Sequence, residues 1–266
     1  MSDIGSKKLT NIYGSILQVS NGNTGVNATL RAVKDGVGSE SAIGISTDKV
    51  LVKPTSAEST TAFQVKSKAG AALLTIDSTN SKVLAGTSQV AVNTQYAYFG
   101  INFDDSQSWA ANKHYAIPFG MGGFAHANCD MDMTTGTDPT LSWVLANVDV
   151  YKAAQFVPFV WYVPDNIVID EITSIEGASA AASDTTRMHL VSYDYASNNS
   201  NVLTNGVVVA NTDGDTTNTG NNKTFKNTWS LVAPSISGGK ACLCSFRSDS
   251  VNSDFSISVI IKYRVS

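Results

Sequence analysis

Charged residues are scarce in this 266-residue sequence, in which Asp, Glu, Lys and Arg make up 15%, against about a quarter in an average globular protein. The net charge is −4, and no run of basic residues is longer than Lys7-Lys8. Proteins that bind nucleic acids present clustered positive charge to the phosphates. The composition therefore predicts no nucleic-acid partner, and its wealth of Ser, Thr, Asn and Gly is typical of all-β proteins with many turns.

Long apolar runs are missing as well. No stretch approaches the ~20 apolar residues that a membrane-spanning helix needs, and residues 1–8 lack the apolar segment of a secretory signal. We therefore expect neither membrane insertion nor export by the standard secretory route. The three cysteines are an odd number, which argues against a complete disulfide framework. No helical period of any length is visible either, which favours an all-β fold.

The clearest pattern lies in residues 61–84. Phe63 and Val65 alternate with polar neighbours, and Leu74 and Ile76 do the same after a glycine turn. This period of two is the mark of strands with one buried face. The segment therefore predicts short strands joined by tight turns.

The same plan occurs once before, at residues 43–51, and equivalent valines Val50 and Val83 stand 33 residues apart. Short strands without a covering helix cannot bury their faces alone. We predict that residues 26–92 form a β-repeat shaft whose missing cover is supplied by identical copies of the chain. Its core is predicted to contain Leu30, Val33, Ile43, Ile45, Val50, Phe63, Val65, Leu74, Ile76 and Val83.

Residues 1–25 are polar apart from one apolar cluster, which contains Ile12, Tyr13, Ile16, Leu17 and Val19. One interpretation is a loose terminus with a single strand. The other is an attachment segment that orders against a partner.

Aromatic residues become frequent near Gln95, whereas Phe63 is the single aromatic side chain of residues 26–92. Large aromatic side chains mark a domain with its own core. We place the boundary at about residue 93 and predict that residues 93–266 form an antiparallel β-sandwich of jelly-roll type, because many short strands alternate with turn clusters.

The module formed by residues 63–83 resembles the strand-turn units of bacteriophage fibre proteins. Residues 161–169 and the final strands, 242–247 and 256–263, are similar in layout to phage jelly-roll domains that cap fibres or decorate capsids. The resemblance implies a homotrimeric virion protein with an attachment segment, a short intertwined shaft and a distal head. It also implies capsid or tail proteins as partners and a location on the particle surface.

Two metal sites deserve testing against simpler interpretations. Zinc accepts the ligand types that are supplied by His126, Cys129, Cys242 and Cys244. The last two would share one face of a strand. The alternative is buried thiols that act as small hydrophobic groups.

Asp213 and Asp215 lie in a segment rich in the oxygen ligands that calcium requires, but the same residues suit a solvated hairpin tip. The sequence predicts no cofactor. None of the three histidines lies in a hydrolase signature, so we expect no enzyme activity.

Glycan binding is a further hypothesis for the head domain. Trp109, Tyr193, Tyr195 and Trp229 lie beside Asn- and Ser-rich segments, where exposed rings could stack on sugars. The alternative is that these rings belong to the core. The sequence thus predicts a non-enzymatic phage fibre or capsid-decoration protein with a host-glycan role. The alternative is a monomeric bacterial carbohydrate-binding module or adhesin.

Overall fold

The computed structural model of the chain describes residues 17–19, 25–103, 109–120, 132–144, 156–179, 183–195, 202–217, 220–251 and 254–266. They divide into two compact units, the first ending at Asn93 and the second beginning at Thr94. Apart from a short 3₁₀ helix at Val157–Phe159, the regular structure of these residues consists of strands. The predicted all-β fold class is confirmed.

The first unit contains two four-stranded antiparallel sheets, each a meander in chain order. The strands of the first sheet are β1 (Gln18–Val19), β2 (Arg31–Lys34), β3 (Glu40–Ile45) and β4 (Val50–Val52). Those of the second sheet are β5 (Phe63–Lys66), β6 (Ala72–Asp77), β7 (Lys82–Ala85) and β8 (Val90–Ala91).

Turn residues with side-chain hydrogen bonds join these strands. The Asp35 carboxylate accepts hydrogen bonds from the backbone N–H groups of Val37 and Ser39, which closes the β2–β3 turn. The Asp77 carboxylate accepts one from the backbone N–H of Asn80 at 2.9 Å, and Ser81 completes the β6–β7 turn with a positive φ of 53°. Asp and Asn favour such turns because their short side chains bond nearby backbone groups.

The second unit contains fourteen described strands. They are β9 (Thr94–Phe103), β10 (Lys113–Ile117), β11 (Asp132–Thr135), β12 (Trp143–Val144), β13 (Trp161–Val163), β14 (Ile167–Ala178), β15 (Thr185–Tyr195), β16 (Val202–Asn211), β17 (Thr216–Thr217), β18 (Lys223–Thr228), β19 (Ser230–Leu231), β20 (Ser235–Ile236), β21 (Lys240–Ser248) and β22 (Phe255–Val265).

Eight long strands of this unit form two antiparallel sheets. The small sheet has the order β18-β14-β22-β9, and the central part of the large sheet has the order β10-β21-β15-β16. Counted one to eight along the chain, the orders are 6-3-8-1 and 2-7-4-5. This is the strand order of a jelly roll, an architecture of two packed sheets.

The main hydrophobic core lies between these two sheets. It includes Phe99 and Ile257 from the small sheet, with Leu190, Cys244 and Phe246 from the large one, all nearly inaccessible to solvent. Side chains alternate across each strand, so every second residue of the long strands points into this core. The strongly alternating strand β22, predicted from its sequence, belongs to it.

A second hydrophobic cluster covers the outer face of the large sheet. Val191 and Leu243 of that sheet pack there with Met133, Trp143 and Phe156. The segment of residues 136–142, which we call the strap, is attached to the same face. Tyr193 donates a hydrogen bond of 2.6 Å from its hydroxyl to the Thr140 carbonyl. The large sheet is therefore buried on both faces in this region.

Gly206 of β16 makes room for the strap. A Cβ atom at this position would lie 2.7 Å from both the Cα and the carbonyl oxygen of Leu141, and 2.8 Å from a ring carbon of Tyr193. Since backbone atoms cannot give way cheaply, we expect Gly206→Ala to lower the free energy of unfolding by about 2 kcal/mol. Urea denaturation of the full chain measures this loss.

Gly177→Ala is the matched control, because a Cβ at that strand position meets no atom closer than 3.7 Å. Its effect should stay within about 1 kcal/mol. Equal losses of unfolding free energy for the two substitutions would show that the strap leaves room for a side chain at Gly206.

Candidate functional site

The second sheet of the first unit has one continuous apolar face. Phe63 stands opposite Ile76, Val65 opposite Leu74, and Ile76 opposite Val83 on the next strand. Directly paired residues point to the same side of a sheet. The five side chains predicted for the shaft core in this repeat thus lie together.

The first sheet repeats this arrangement. Ile43 stands opposite Val52, and Ile45 stands opposite Val50, so these four aliphatic side chains share one face. Val33 faces Val19 of β1, next to an irregularity in the β2–β3 ladder.

Leu30 departs from the predicted set. Its side chain lies on the opposite face of the first sheet, beside Leu51 and above Gly44, where a Cβ would come within 3.6 Å of both leucines. Together they line a groove of about 280 Å³. Leu30 precedes β2, so no ladder pairing brings it to the face that the sequence predicted.

None of the ten predicted shaft residues is buried in the single chain. Val50 is 75% exposed, Ile43 47% and Val65 42%. In the described part of residues 17–93, no hydrophobic side chain is buried, and the buried side chains are the polar Thr75 and Asp77. The first unit therefore presents apolar faces to solvent where a folded domain has a core.

The predicted attachment residues fall mostly outside the described residues. This holds for Ile12, Tyr13 and Ile16. Leu17 is 70% exposed, and Val19 ends the edge strand β1.

Three of the four candidate glycan-binding rings belong to the core. Trp109 packs edge-on against Tyr115 and Phe255, and Trp229 donates a hydrogen bond from its indole nitrogen to Ser174 Oγ at 3.0 Å. Tyr193 is completely buried. No face of these rings is free for a sugar, so the interpretation of these three as core residues replaces the glycan hypothesis.

Tyr195 differs from the other three because it is half-buried. It lines an open depression of about 530 Å³ with Asp194, Thr204 and Lys240. Lys240 and Asn205 both contact the Asp194 carboxylate, and the Lys240 contact lowers the pKa of Asp194. This depression presents a ring, a fixed carboxylate and an ammonium group to solvent.

The zinc candidates are divided by the fold. Cys242 and Cys244 point into the core between the sheets, which confirms that they share a face, and burial raises the pKa of Cys242 to about 12. A thiol that resists ionisation is a poor zinc ligand. His126 and Cys129 lie outside the described residues. The described ranges bring together no group of three metal-ligating side chains.

The calcium candidates occupy a turn whose carboxylate has cationic partners. Asp215 lies 3.1 Å from Arg187 Nε and 4.0 Å from Arg247 Nη1. Asp213 has a φ of +44° and donates its backbone N–H to the Asn211 side chain. This geometry matches the hairpin interpretation of the segment.

A buried histidine pair was not predicted from the sequence. His114 of β10 and His189 of β15 are at most 1% exposed, and their ring centroids are 5.1 Å apart. Ser245 of the intervening strand β21 pairs with His189 in the ladder, and its Oγ lies 3.5 Å from His114 Nδ1. A signal is present for His189, which interrupts the apolar stretch from Met188 to Val191, whereas His114 follows the polar Lys113 and gives none.

A scan against models of known protein families found none that matches the chain, and a search of curated proteins found no match either. No helix among the described residues has the length and apolar character that crossing a membrane requires. The function is therefore inferred from the geometry of each of the two units.

Proposed function

We propose that this chain is a non-enzymatic structural protein of a bacteriophage particle, a fibre or capsid-decoration protein that works as a homotrimer. Residues 26–92 join the copies, and the jelly-roll unit forms the exposed head. One observation supports this most strongly: the described part of the first unit has apolar sheet faces and no buried hydrophobic side chain.

Energetics favour association of these faces. An aliphatic side chain that passes from solvent to a packed interior contributes about 1.5–3 kcal/mol, while a small isolated sheet is marginal in water. Identical copies are the simplest cover because both sheets of the unit carry the same face pattern. Contact between three such faces would give the repeat an interior.

The proposed number of copies and the proposed location on a phage particle are both taken from the resemblance to phage fibre proteins. Fibre-like repeats imply three chains wound together, and a jelly-roll head at the distal end implies display on the particle surface. In this proposal residues 1–25 bind capsid or tail proteins, and host-surface glycans are a candidate target of the head.

The described side chains give no support to catalysis. The contact that most resembles a hydrolase site joins Ser245 to His114, and both residues are completely buried. A nucleophile that no substrate reaches cannot act.

Sedimentation of the purified full chain tests the proposal. We expect a stable species of about three times the 28.1 kDa chain mass, which persists on dilution because the interface is apolar. A monomer would contradict the proposal. A monomer that also bound glycans through the Tyr195 depression would favour the alternative, a carbohydrate-binding module or adhesin without a virion.

A further inference from the structure

The strap is held by contacts from several strands of the large sheet. His114 Nε2 lies 3.2 Å from the Gly136 carbonyl oxygen, and His189 Nε2 lies 3.0 Å from Asp138 Oδ1. Arg187 donates to the Thr137 carbonyl at 3.3 Å. Tyr193 donates to the Thr140 carbonyl, and the backbone N–H of Gly206 donates to the Leu141 carbonyl at 2.8 Å, so these contacts run along the strap. Two of them come from the histidine pair.

The contacts of Nε2 fix the protonation of both rings. A carbonyl oxygen and a carboxylate oxygen accept hydrogen bonds, so each Nε2 carries the proton and donates it. Nδ1 is therefore the unprotonated nitrogen of each neutral ring. The Nδ1 of His114 faces Ser245 Oγ at 3.5 Å, whereas the Nδ1 of His189 is buried with no hydrogen-bond partner among the described residues. A second proton on His189 would find no acceptor in this part of the chain.

The surroundings disfavour a positive charge on either ring. The charged side chains that act on the pair are Asp138 of the strap, Arg187 of β15 and Arg247 of β21, and Asp215 contacts both arginines. On the same and neighbouring strands, Lys113 pairs with Asp132 and Lys240 with Asp194. Among the described side chains, Asp138 is the carboxylate that contacts a ring of the pair, and it is more than half exposed.

Acid would therefore place two cations 5.1 Å apart in a buried site that already adjoins two arginines. Burial lowers the pKa of His114 to about 4, with a smaller contribution from the His189 ring. Burial also lowers the pKa of His189 to about 4, although Asp138 opposes the effect. Rings released to solvent take up protons near pH 6.5, so protons favour the released state increasingly as pH falls from 6.5 towards 4.

We propose that His114 and His189 form an acid-sensitive latch, which holds the strap on the large sheet at neutral pH and releases it on acidification. Release would uncover the part of the outer face that the strap contacts, which includes the two histidine rings and Tyr193. The core between the two sheets would stay packed.

Hydrogen exchange followed by mass spectrometry on the full chain tests the latch. After correction for intrinsic rates, strap peptides of the native protein should lose at least tenfold in protection between pH 7 and pH 4.5. Peptides from β14, in the other sheet, should keep theirs. Unchanged strap protection, or an equal loss in β14, would overturn the proposal.

The double variant His114→Gln/His189→Gln should retain a protected strap at both pH values, because glutamine donates from its amide but does not titrate. His126→Gln, at the third histidine, is the matched control and should respond to acid as the native chain does. If the double variant fails to fold, NMR titration of the histidines in the native chain decides whether protonation of the pair accompanies release of the strap. Two rings that titrate near pH 6.5 without strap release would refute the latch.

Discussion

The double variant Leu74→Asp/Ile76→Asp is expected to be monomeric at concentrations at which the native chain forms the proposed trimer. Both side chains lie on the apolar face of the second sheet, opposite Val65 and Phe63. In a trimer the variant would bring two carboxylates from each copy into an apolar interior, and each unpaired buried charge costs several kcal/mol. Sedimentation equilibrium would show the loss of the trimer, and circular dichroism would show that the jelly-roll unit keeps its fold.

Leu73→Asp is the matched control for this experiment. Leu73 is the neighbour of Leu74 on β6, points to the opposite face and is 45% exposed. The same charge at this position should leave the trimer intact. A double variant that remains trimeric would exclude the apolar face as the interface, and a Leu73 variant that dissociates would place the interface on the opposite face.

The faces of the first unit could be predicted because its hairpins are local. Tight turns fix the register of β5, β6 and β7, and a period of two then assigns each side chain to a face. Phe63, Leu74 and Val83 consequently lie together as the pattern indicated. Leu30 lies on the opposite face, and because it stands outside a strand, alternation carries no information about its direction.

The second unit was harder to predict where a strand is buried on both faces. The long strand β22 shows clean alternation and was predicted almost in full. Residues 110–117 show no period of two in the sequence, yet β10 begins at Lys113. Tyr115 and Ile117 face one hydrophobic cluster while Ala116 faces the other, so the strand shows no alternation of apolar and polar residues.

The role of the aromatic residues could not be read from the sequence, because tyrosine and tryptophan suit both cores and binding surfaces. The structure shows hydrogen-bond partners for two of these residues. The Tyr193 hydroxyl bonds the strap and the Trp229 indole bonds Ser174. These partners are far apart in the sequence; the pairing of β14 with β18 and the path of the strap across the large sheet bring them together.

Glu176 likewise bonds to residues that are distant in the sequence. Its replacement by alanine should lower the free energy of unfolding more than Gly206→Ala does. This side chain of β14 is 2% exposed and points between the sheets. Its carboxylate accepts hydrogen bonds from Thr186 Oγ1 of the large sheet at 2.8 Å and from Asn227 Nδ2 at 2.6 Å. Glu176→Ala would leave both donors unpaired and a cavity beside them, which should lower the free energy of unfolding by about 3–5 kcal/mol.

Glu176→Gln separates the hydrogen bonds from the charge. Burial raises the pKa of Glu176 above its ordinary value, so the folded chain holds this proton more tightly than the unfolded chain. The resulting stabilisation is complete in acid below the ordinary pKa of 4.5 and is lost as pH rises through the folded-state value. Glutamine does not titrate, so the stability of the Gln variant relative to the native chain should increase as pH rises.

Urea denaturation at pH 5 and pH 8 measures both effects on the same preparation. The Ala variant should be the least stable chain at either pH, and the Gln variant should gain on the native chain at pH 8. A Gln variant as unstable as the Ala variant would mean that Thr186 and Asn227 require a carboxylate. A pH-independent difference between Gln and native chains would mean that Glu176 keeps the same proton occupancy in the folded and unfolded states. The polar bridge between the sheets would then stabilise the jelly roll through hydrogen bonding alone.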